Sequence, residues 1–389
     1  MRDDLPTPDT ALPEPTAAEV EHSLRLVNRI RDDMSGKPIS FARFMELALY
    51  APGLGYYSAG KTKFGGAGDF ITAPELGDVF AKCVAHQCAQ VLAELDGGDV
   101  LEAGGGSGAL AADLLTELEQ LHQLPDNYFV LELSADLRQR QQQHIDKVVP
   151  HLRDRVHWLD QLPDAFTGVV LANELLDAMP VSLFHTTSDG VMERYVALDD
   201  SGFHWLEQAA PLPLEQRVNA LHLDADYISE INFNAESWIH SLSQSLKQGL
   251  ILLIDYGFPA SEYYHPQRKT GTLMCHYRHR SHTDPLAYVG LQDITAHVDF
   301  TAIAQAAVDS GLDVLGYTSQ EAFLMSCGLD QLVAKNDPDN TRAHLEMTAQ
   351  IKKLTLPSEM GELFKVLALG REIESTLVGY SIQDRRDRL

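Results

Sequence analysis

Glu102, Gly104, Gly106 and Gly108 occupy alternate positions in VLEAGGGSGALA, residues 100–111. An apolar lead runs into the acid, glycines crowd the next five positions, and an alanine- and leucine-rich amphipathic stretch continues to about residue 121. That order reads as strand, tight turn, helix. Glycine serves where the backbone takes positive φ or must touch a ligand directly. A helix start offers free N–H groups to polar ligand atoms. The chemistry implied is capture of a nucleotide-like cofactor. Gly104, Gly106 and Ala109 also satisfy the dinucleotide pattern G-x-G-x-x-G/A. Glu132, at the end of the apolar run YFVLEL, lies about where an acid meets a ribose hydroxyl. Alone, this pattern is weak evidence for NAD, and an ordinary glycine turn of an α/β protein is the plain alternative.

The elements that must position these residues alternate along the chain. Strands are expected from residue 100, then over 128–133, 156–159, 168–172 and 250–255, with helices in several gaps. That alternation implies a parallel sheet covered on both faces. Upstream, residues 1–17 are acidic and proline-rich and read as a disordered tail. A helix over 18–34 carries Val20, Leu24, Val27 and Ile30 at helical spacing. A second, over 41–50, starts after Ser40 as its cap. A third runs over 74–95, with Pro74 as a suitable first residue. Residues 18–95 thus form an N-terminal helical segment, and 96–179 the cofactor-binding core. An insertion follows over 180–248, with antiparallel strands over 181–207 and a helical second part. Residues 249–370 complete the core. Within them, 258–300 is rich in Tyr, His and Arg and reads as a lid or active-site loop. The stretch 300–369 reads as helix plus one strand over 312–318, and 371–389 as a charged tail.

Composition narrows the function. A chain of 389 residues suits two to three domains, or one with insertions. Acids outnumber bases 56 to 30, a net charge of −26, which argues against a nucleic-acid partner. The same field would steer a basic protein or peptide inward, or simply keep the chain soluble. Cys83, Cys88, Cys275 and Cys327 form no Cys-x-x-Cys pair, which fits a reducing compartment rather than a disulfide framework. No run approaches the roughly 20 apolar residues that cross a bilayer, and the N-terminus lacks signal-peptide or presequence character, so a cytoplasmic protein without a membrane partner is expected. His276, His279 and His282 recur every three residues, with His297 beyond. No cysteine or acid completes a familiar zinc pattern there, so no metal is expected and a polar lid is the preferred reading.

The spacing E-x-G-x-G-x-G resembles motif I of class I S-adenosylmethionine (SAM) methyltransferases. Six further segments extend the likeness: GKTKFGGAGDFITAPELGDVF (60–80), NELLDAMP (173–180), DYG (255–257), GTLMCHYRHR (271–280), GLQDITAHVDF (290–300) and PSEMGELFKVLALG (357–370). Together with LEAGGGSGALA they resemble the MidA-like family of SAM-dependent methyltransferases, over about residues 39–370. Mitochondrial members of that family are protein arginine methyltransferases acting on a subunit of respiratory complex I during its assembly. The resemblance implies an α/β, class I Rossmann-like sheet with SAM at the carboxyl ends of its strands. Around it this chain adds an N-terminal helical extension and a large insertion between the fourth and fifth strands.

By the same resemblance Glu102, Gly104, Gly106 and Gly108 hold the methionine end, and Glu132 binds the ribose. Asp160 and Gln161 lie beside the adenine, or form a surface turn. Asn173 and Glu174 stand beside the transferable methyl. Asp69, Phe70, Thr72 and Pro74, with Glu75, form a site segment that also suits a capped helix start. A sulfonium methyl is already electrophilic, so the protein mainly aligns a nucleophile. For a guanidinium acceptor, carboxylates offset charge and orient a nitrogen. Glu174 and Asp177 are the candidates: three apart on a helical turn they share a face, or else complement a helix start. Asp255 and Tyr256, at a strand end, either line the pocket or form a turn. Asp293, Thr295, His297 and Asp299 alternate, as an exposed strand face or a polar wall would. The expected enzyme methylates an arginine-bearing, basic protein segment, as a monomer or homodimer. Its rivals are an NAD-dependent oxidoreductase, a non-catalytic SAM-fold assembly factor, and a methyltransferase of small molecules or nucleic acid.

Overall fold

The structure, a computed structural model, describes residues 12–59, 72–335 and 340–389. The chain divides into two compact units. One comprises Met1–Ile71, Pro180–Ile231 and Pro266–Ala296; the other comprises Thr72–Met179, Asn232–His265 and His297–Leu389. The insertion expected over 180–248 is therefore shared: its strands belong to the first unit and its final helix, Phe233–Ser245, to the second.

The main path of the sheet in the second unit has seven strands: β1 (Asp99–Ala103), β2 (Tyr128–Leu131), β3 (Val156–Leu159), β4 (Phe166–Asn173), β5 (Leu246–Phe258), β6 (Asp313–Ser319) and β7 (Phe364–Arg371), with the short strand Val298–Asp299 paired to the end of β5. Their order is β3-β2-β1-β4-β5-β7-β6. The first five run parallel, and β7 pairs antiparallel with both β5 and β6. Central strands buried on both faces need near-continuous apolar runs. Alternate residues then feed opposite cores. Val169 and Leu171, Leu250 and Leu252, Val366 and Ala368 enter one core, with the helices Val79–Glu94 and Ala109–Gln120. Val170 and Ala172, Ile251 and Leu253, Leu367 and Leu369 enter the other, with Phe233–Ser245 and Phe300–Asp309.

Three expectations change in this unit. The helix expected over 74–95 is broken: a 3-10 turn at Ala73–Leu76 precedes Gly77, whose φ of 139° interrupts it before Val79. The stretch read as mostly helix hides β7. A short apolar run such as FKVLAL has no period that separates a buried strand from a buried helix. The charged tail is docked rather than free. Arg385 N–H donates to Tyr317 O, Tyr317 N–H donates to the Asp384 carboxylate, and Arg385 grips Glu362 with both guanidinium arms. The tail thereby satisfies the open edge of β6, where unpaired amides and carbonyls would otherwise face solvent.

In the first unit, Thr16 and Glu19 form a reciprocal capping box on the helix Ala17–Met34. Its buried stripe is Leu26, Ile30 and Met34, whereas Val20 and Leu24, read as part of the apolar face, are exposed. Ser40 caps Phe41–Tyr50 as expected. The antiparallel strands Ser182–Thr187, Gly190–Asp199 and Gly202–Ala209 form a sheet, joined by an unforeseen strand at Tyr227–Ile231. Part of the expected lid is instead a small sheet of Met274–Tyr277, Arg280–His282 and Asp293–Thr295.

Candidate functional site

The site lies in the second unit, at the carboxyl ends of β1, β2, β4 and β5. After β1 the chain turns through Gly104 (φ 74°), Gly106 (φ 50°) and Gly108 (φ 87°). That is left-handed backbone, which glycine adopts without penalty. A Cβ on Gly106 would meet nothing within 4 Å, so the turn encloses open space; one on Gly104 would stand 3.0 Å from Leu175 Cδ1. Glu102, on β1 beneath the turn, is buried and accepts the Tyr128 hydroxyl at 2.8 Å. Burial pushes its carboxyl up to about 7, the tyrosine pulls back, and the Glu132 carboxylate adds to the rise. Such an acid gains most from a cationic partner, as a ligand's ammonium group would be.

Glu132, just past β2, is buried and also raised, chiefly by desolvation. It accepts Ser134 N–H at 2.8 Å and Gln141 Nε2 at 3.1 Å. The same Gln141 nitrogen donates to Gly106 O at 3.0 Å, tying the acid to the glycine turn. Sequence reasoning missed Gln141. It sits in the run RQRQQQ, where nothing distinguishes a buried glutamine from its solvated neighbours. Asp160 lies beyond β3 with its side chain 88% exposed, paired with Arg138 at 2.7 Å, and Gln161 is exposed beside it. Asp69 and Phe70 lie outside the described residues. Thr72 is buried, and Pro74 opens the 3-10 turn that follows it. Two bonds fasten that turn: Ser107 Oγ donates to Glu75, and Ala73 N–H donates to Glu174 Oε1 at 3.4 Å.

At the end of β4, Asn173 Nδ2 donates to Glu174 Oε1 at 3.1 Å. Glu174 takes φ 50° and donates its N–H to Ile254 O at 2.9 Å. This left-handed residue stops any helix, so residues 174–177 form an irregular turn. Glu174 and Asp177 therefore do not share a helical face, nor do they complement a helix start. Asp177 is buried and accepts the Tyr256 hydroxyl on Oδ2, while its Oδ1 and the Asn173 Oδ1 are buried without a hydrogen-bond partner among the described residues. Burial raises the Asp177 carboxyl to about 6, against the pull of Tyr256. Asp255, at the end of β5, is 1% exposed. Burial first, then the carboxylates of Asp177 and Glu174, push it upward, while amides pull it back. Tyr256 packs edge-on against His297, 5.1 Å between centroids.

The alternating set of residues 293–299 separates. Asp293 and Thr295 are buried in the first unit, where Asp293 accepts the Tyr57 hydroxyl at 3.0 Å. In the second unit Asp299 caps the helix Phe300–Asp309. Neither an exposed face nor one continuous wall describes them. Among the described residues no group of three or more His, Cys, Asp or Glu is arranged to hold a metal ion. No helix among them is long and apolar enough to cross a membrane.

Residues 83–318 match a family of S-adenosyl-L-methionine-dependent methyltransferases, Methyltransf_28. The protein arginine methyltransferase NDUFAF7, mitochondrial, of Homo sapiens is 28% identical over 92% of this chain and 85% of its own. The Danio rerio protein of the same name is 28% identical over 85% and 83%. A protein from Burkholderia thailandensis crystallised with S-adenosyl-homocysteine superposes with a TM-score of 0.94 at 43% identity, over 97% of this chain and all of that one. A left-handed glycine turn that borders open space, flanked by the buried acids Glu102 and Glu132, fits a ligand of that size and polarity.

Proposed function

The chain belongs to a family of S-adenosylmethionine-dependent methyltransferases, and from that premise we propose that it methylates an arginine side chain of a protein substrate. The observation that carries the proposal is the gathering of three carboxylates, Glu174, Asp177 and Asp255, at the adjacent ends of β4 and β5. The acidic turn adjoins the glycine turn through Gly104 and Leu175. A buried cluster of acids is strained unless a cation joins it. A guanidinium is planar, permanently charged and matched to carboxylates. The relatives named as protein arginine methyltransferases support the same acceptor.

Bound SAM supplies an electrophilic methyl on a sulfonium. In our reading Gly104, Gly106 and Gly108 shape the space for its methionine end, with Glu102 facing the ammonium group and Glu132 the ribose hydroxyls. Asn173 and Glu174 orient the acceptor nitrogen toward the methyl. As that nitrogen would form its bond to the methyl carbon, the carbon–sulfur bond would break, its electron pair leaving with sulfur as a thioether, and the nitrogen must release one proton. Asp177, raised to about 6, can take that proton and pass it to solvent. The chain's net charge of −26 draws a basic segment toward it. We place the protein in a reducing compartment such as the cytoplasm, since all four cysteines are buried and unpaired; the named relatives are mitochondrial.

The test is transfer of a labelled methyl from SAM to arginine-rich and lysine-rich peptides, with Glu174→Gln beside the native enzyme. Label is expected on guanidinium nitrogen alone. Label confined to lysine, or none despite SAM binding, would sink the proposal. Glu174→Gln should slow transfer by about 1000-fold, as loss of a group that aligns and stabilises the reacting centre does, while SAM affinity holds. Equal loss of both would remove Glu174 from its role.

A further inference from the structure

Asp255 belongs to the acid cluster but has no step assigned to it above, and its carboxylate accepts four backbone amides. Oδ2 accepts three consecutive backbone amides from the turn after β4: Leu175 at 3.2 Å, Leu176 at 2.9 Å and Asp177 at 3.3 Å. Oδ1 accepts the amide of Tyr256 at 2.9 Å. Successive amides converging on one oxygen form an anion nest, and here the anion is a side chain of the neighbouring strand. The clamped turn begins at Glu174, whose left-handed φ is unfavourable for a bulky side chain and persists only where surroundings over-determine it. Asn232 fastens the opposite side of the turn, its Nδ2 donating to Leu176 O at 3.1 Å and Met179 O at 3.5 Å.

We infer that Asp255 is a positioning residue for methyl transfer: it clamps the amides of residues 175–177 and thereby holds Glu174 and Asp177 in one geometry toward the acceptor. This rests on the reading of those two acids as the acceptor's partners. Asp255 need not touch substrate. Misplacing a reacting group by about 1 Å can reduce rate roughly 100-fold, and the clamp is what prevents such a shift. The clamp also has an electrostatic signature. Asp255 and Asp177 titrate as a pair, in the company of Glu174, Tyr256, His297 behind Tyr256, and Lys365 opposite Asp255 in the β5–β7 ladder. The charge of Asp177 helps push Asp255 up, so Asp177 ionises first and neutralising Asp255 leaves its titration in place.

Asp255→Asn in the full-length enzyme tests this, with an arginine-rich peptide as acceptor. Its kcat should fall by about 100-fold while peptide KM and SAM affinity stay within about threefold. The acid limb of its pH–rate profile should stay in place, and the amides of residues 175–177 should exchange with deuterium faster than in the native enzyme. An unchanged kcat would overturn the inference, as would SAM affinity falling in step with kcat. If the variant does not fold, exchange in the native enzyme decides: slow exchange at the three amides supports the clamp, and exchange at unfolded-chain rates refutes it. If the native enzyme transfers nothing to arginine, the acceptor reading fails on its own, and amide exchange still decides the clamp.

Discussion

Two turns meet at Gly104 and Leu175 and are built on opposite principles. The turn after β1 is made by omission: three glycines at positive φ leave room, and Gly106 borders nothing within 4 Å. The turn after β4 is made by attachment, its amides gathered onto a carboxylate 78 to 80 residues further along the chain. The first owes its backbone conformation to its own glycines, with Gln141 bonded to it from outside through Gly106 O. The second is shaped by Asp255 and Asn232, which lie outside it. On the proposed reading the first turn captures the cofactor and the second aligns the acceptor, and substitutions should separate the two.

The sharpest break is Gly104→Val. It forces a β-branched residue to φ 74° and brings a Cβ within 3.0 Å of Leu175, so both turns suffer. SAM affinity, read by calorimetry, should fall by about 100-fold or more, given strain of about 1–3 kcal/mol and added crowding. Retained affinity would mean that the turn does not work by leaving room.

A milder change isolates the second turn. Tyr256→Phe removes the hydroxyl that holds Asp177 in its ionised form. The Asp177 carboxyl then rises further above about 6, so the acid limb of kcat/KM should move to higher pH, whereas Asp255→Asn should leave it in place. SAM affinity should stay level. An unmoved limb would detach Asp177 from the rate.

The smallest effect belongs to stability. Glu102 holds its proton more tightly folded, to about 7, than unfolded near 4.5. Its stabilising contribution is complete below the unfolded value and is lost as pH rises through about 7. Glu102→Gln is neutral at every pH and should therefore melt about 2–4 °C higher than the native chain at pH 8, with the gap closing near pH 4.5. A variant that melts lower at pH 8 would show that the ionised form is not penalised.

These contrasts explain which parts of the molecule were readable. Glycine spacing, the strand before it and the helix after it sit within one short stretch, so Glu102, the glycines and Glu132 could be named together. The parallel core was equally plain, because the runs of β4 and β5 admit few other uses. Glu174 and Asp177 are singled out by their motif but with a helical relationship the structure does not have, since a spacing of three suggests one and φ at Glu174 is not encoded by its type. Gln141 and the clamping role of Asp255 were out of reach, because both depend on which strand ends become neighbours. β7 was lost to the ambiguity of a short apolar run, and the tail to its charge, which looks the same whether solvated or paired.

The antiparallel strand β7 has a consequence for how the protein is made. It enters between β5 and the outer strand β6, so that place in the sheet is filled by residues 364–371, the last of the seven strands in chain order. During synthesis the earlier strands emerge with a gap where β7 belongs, and both flanking strands present unpaired edges until it arrives. Such edges are sites of intermolecular pairing. A chain that stalls or is truncated before residue 364 would keep its cofactor turn and still be the species most prone to aggregate.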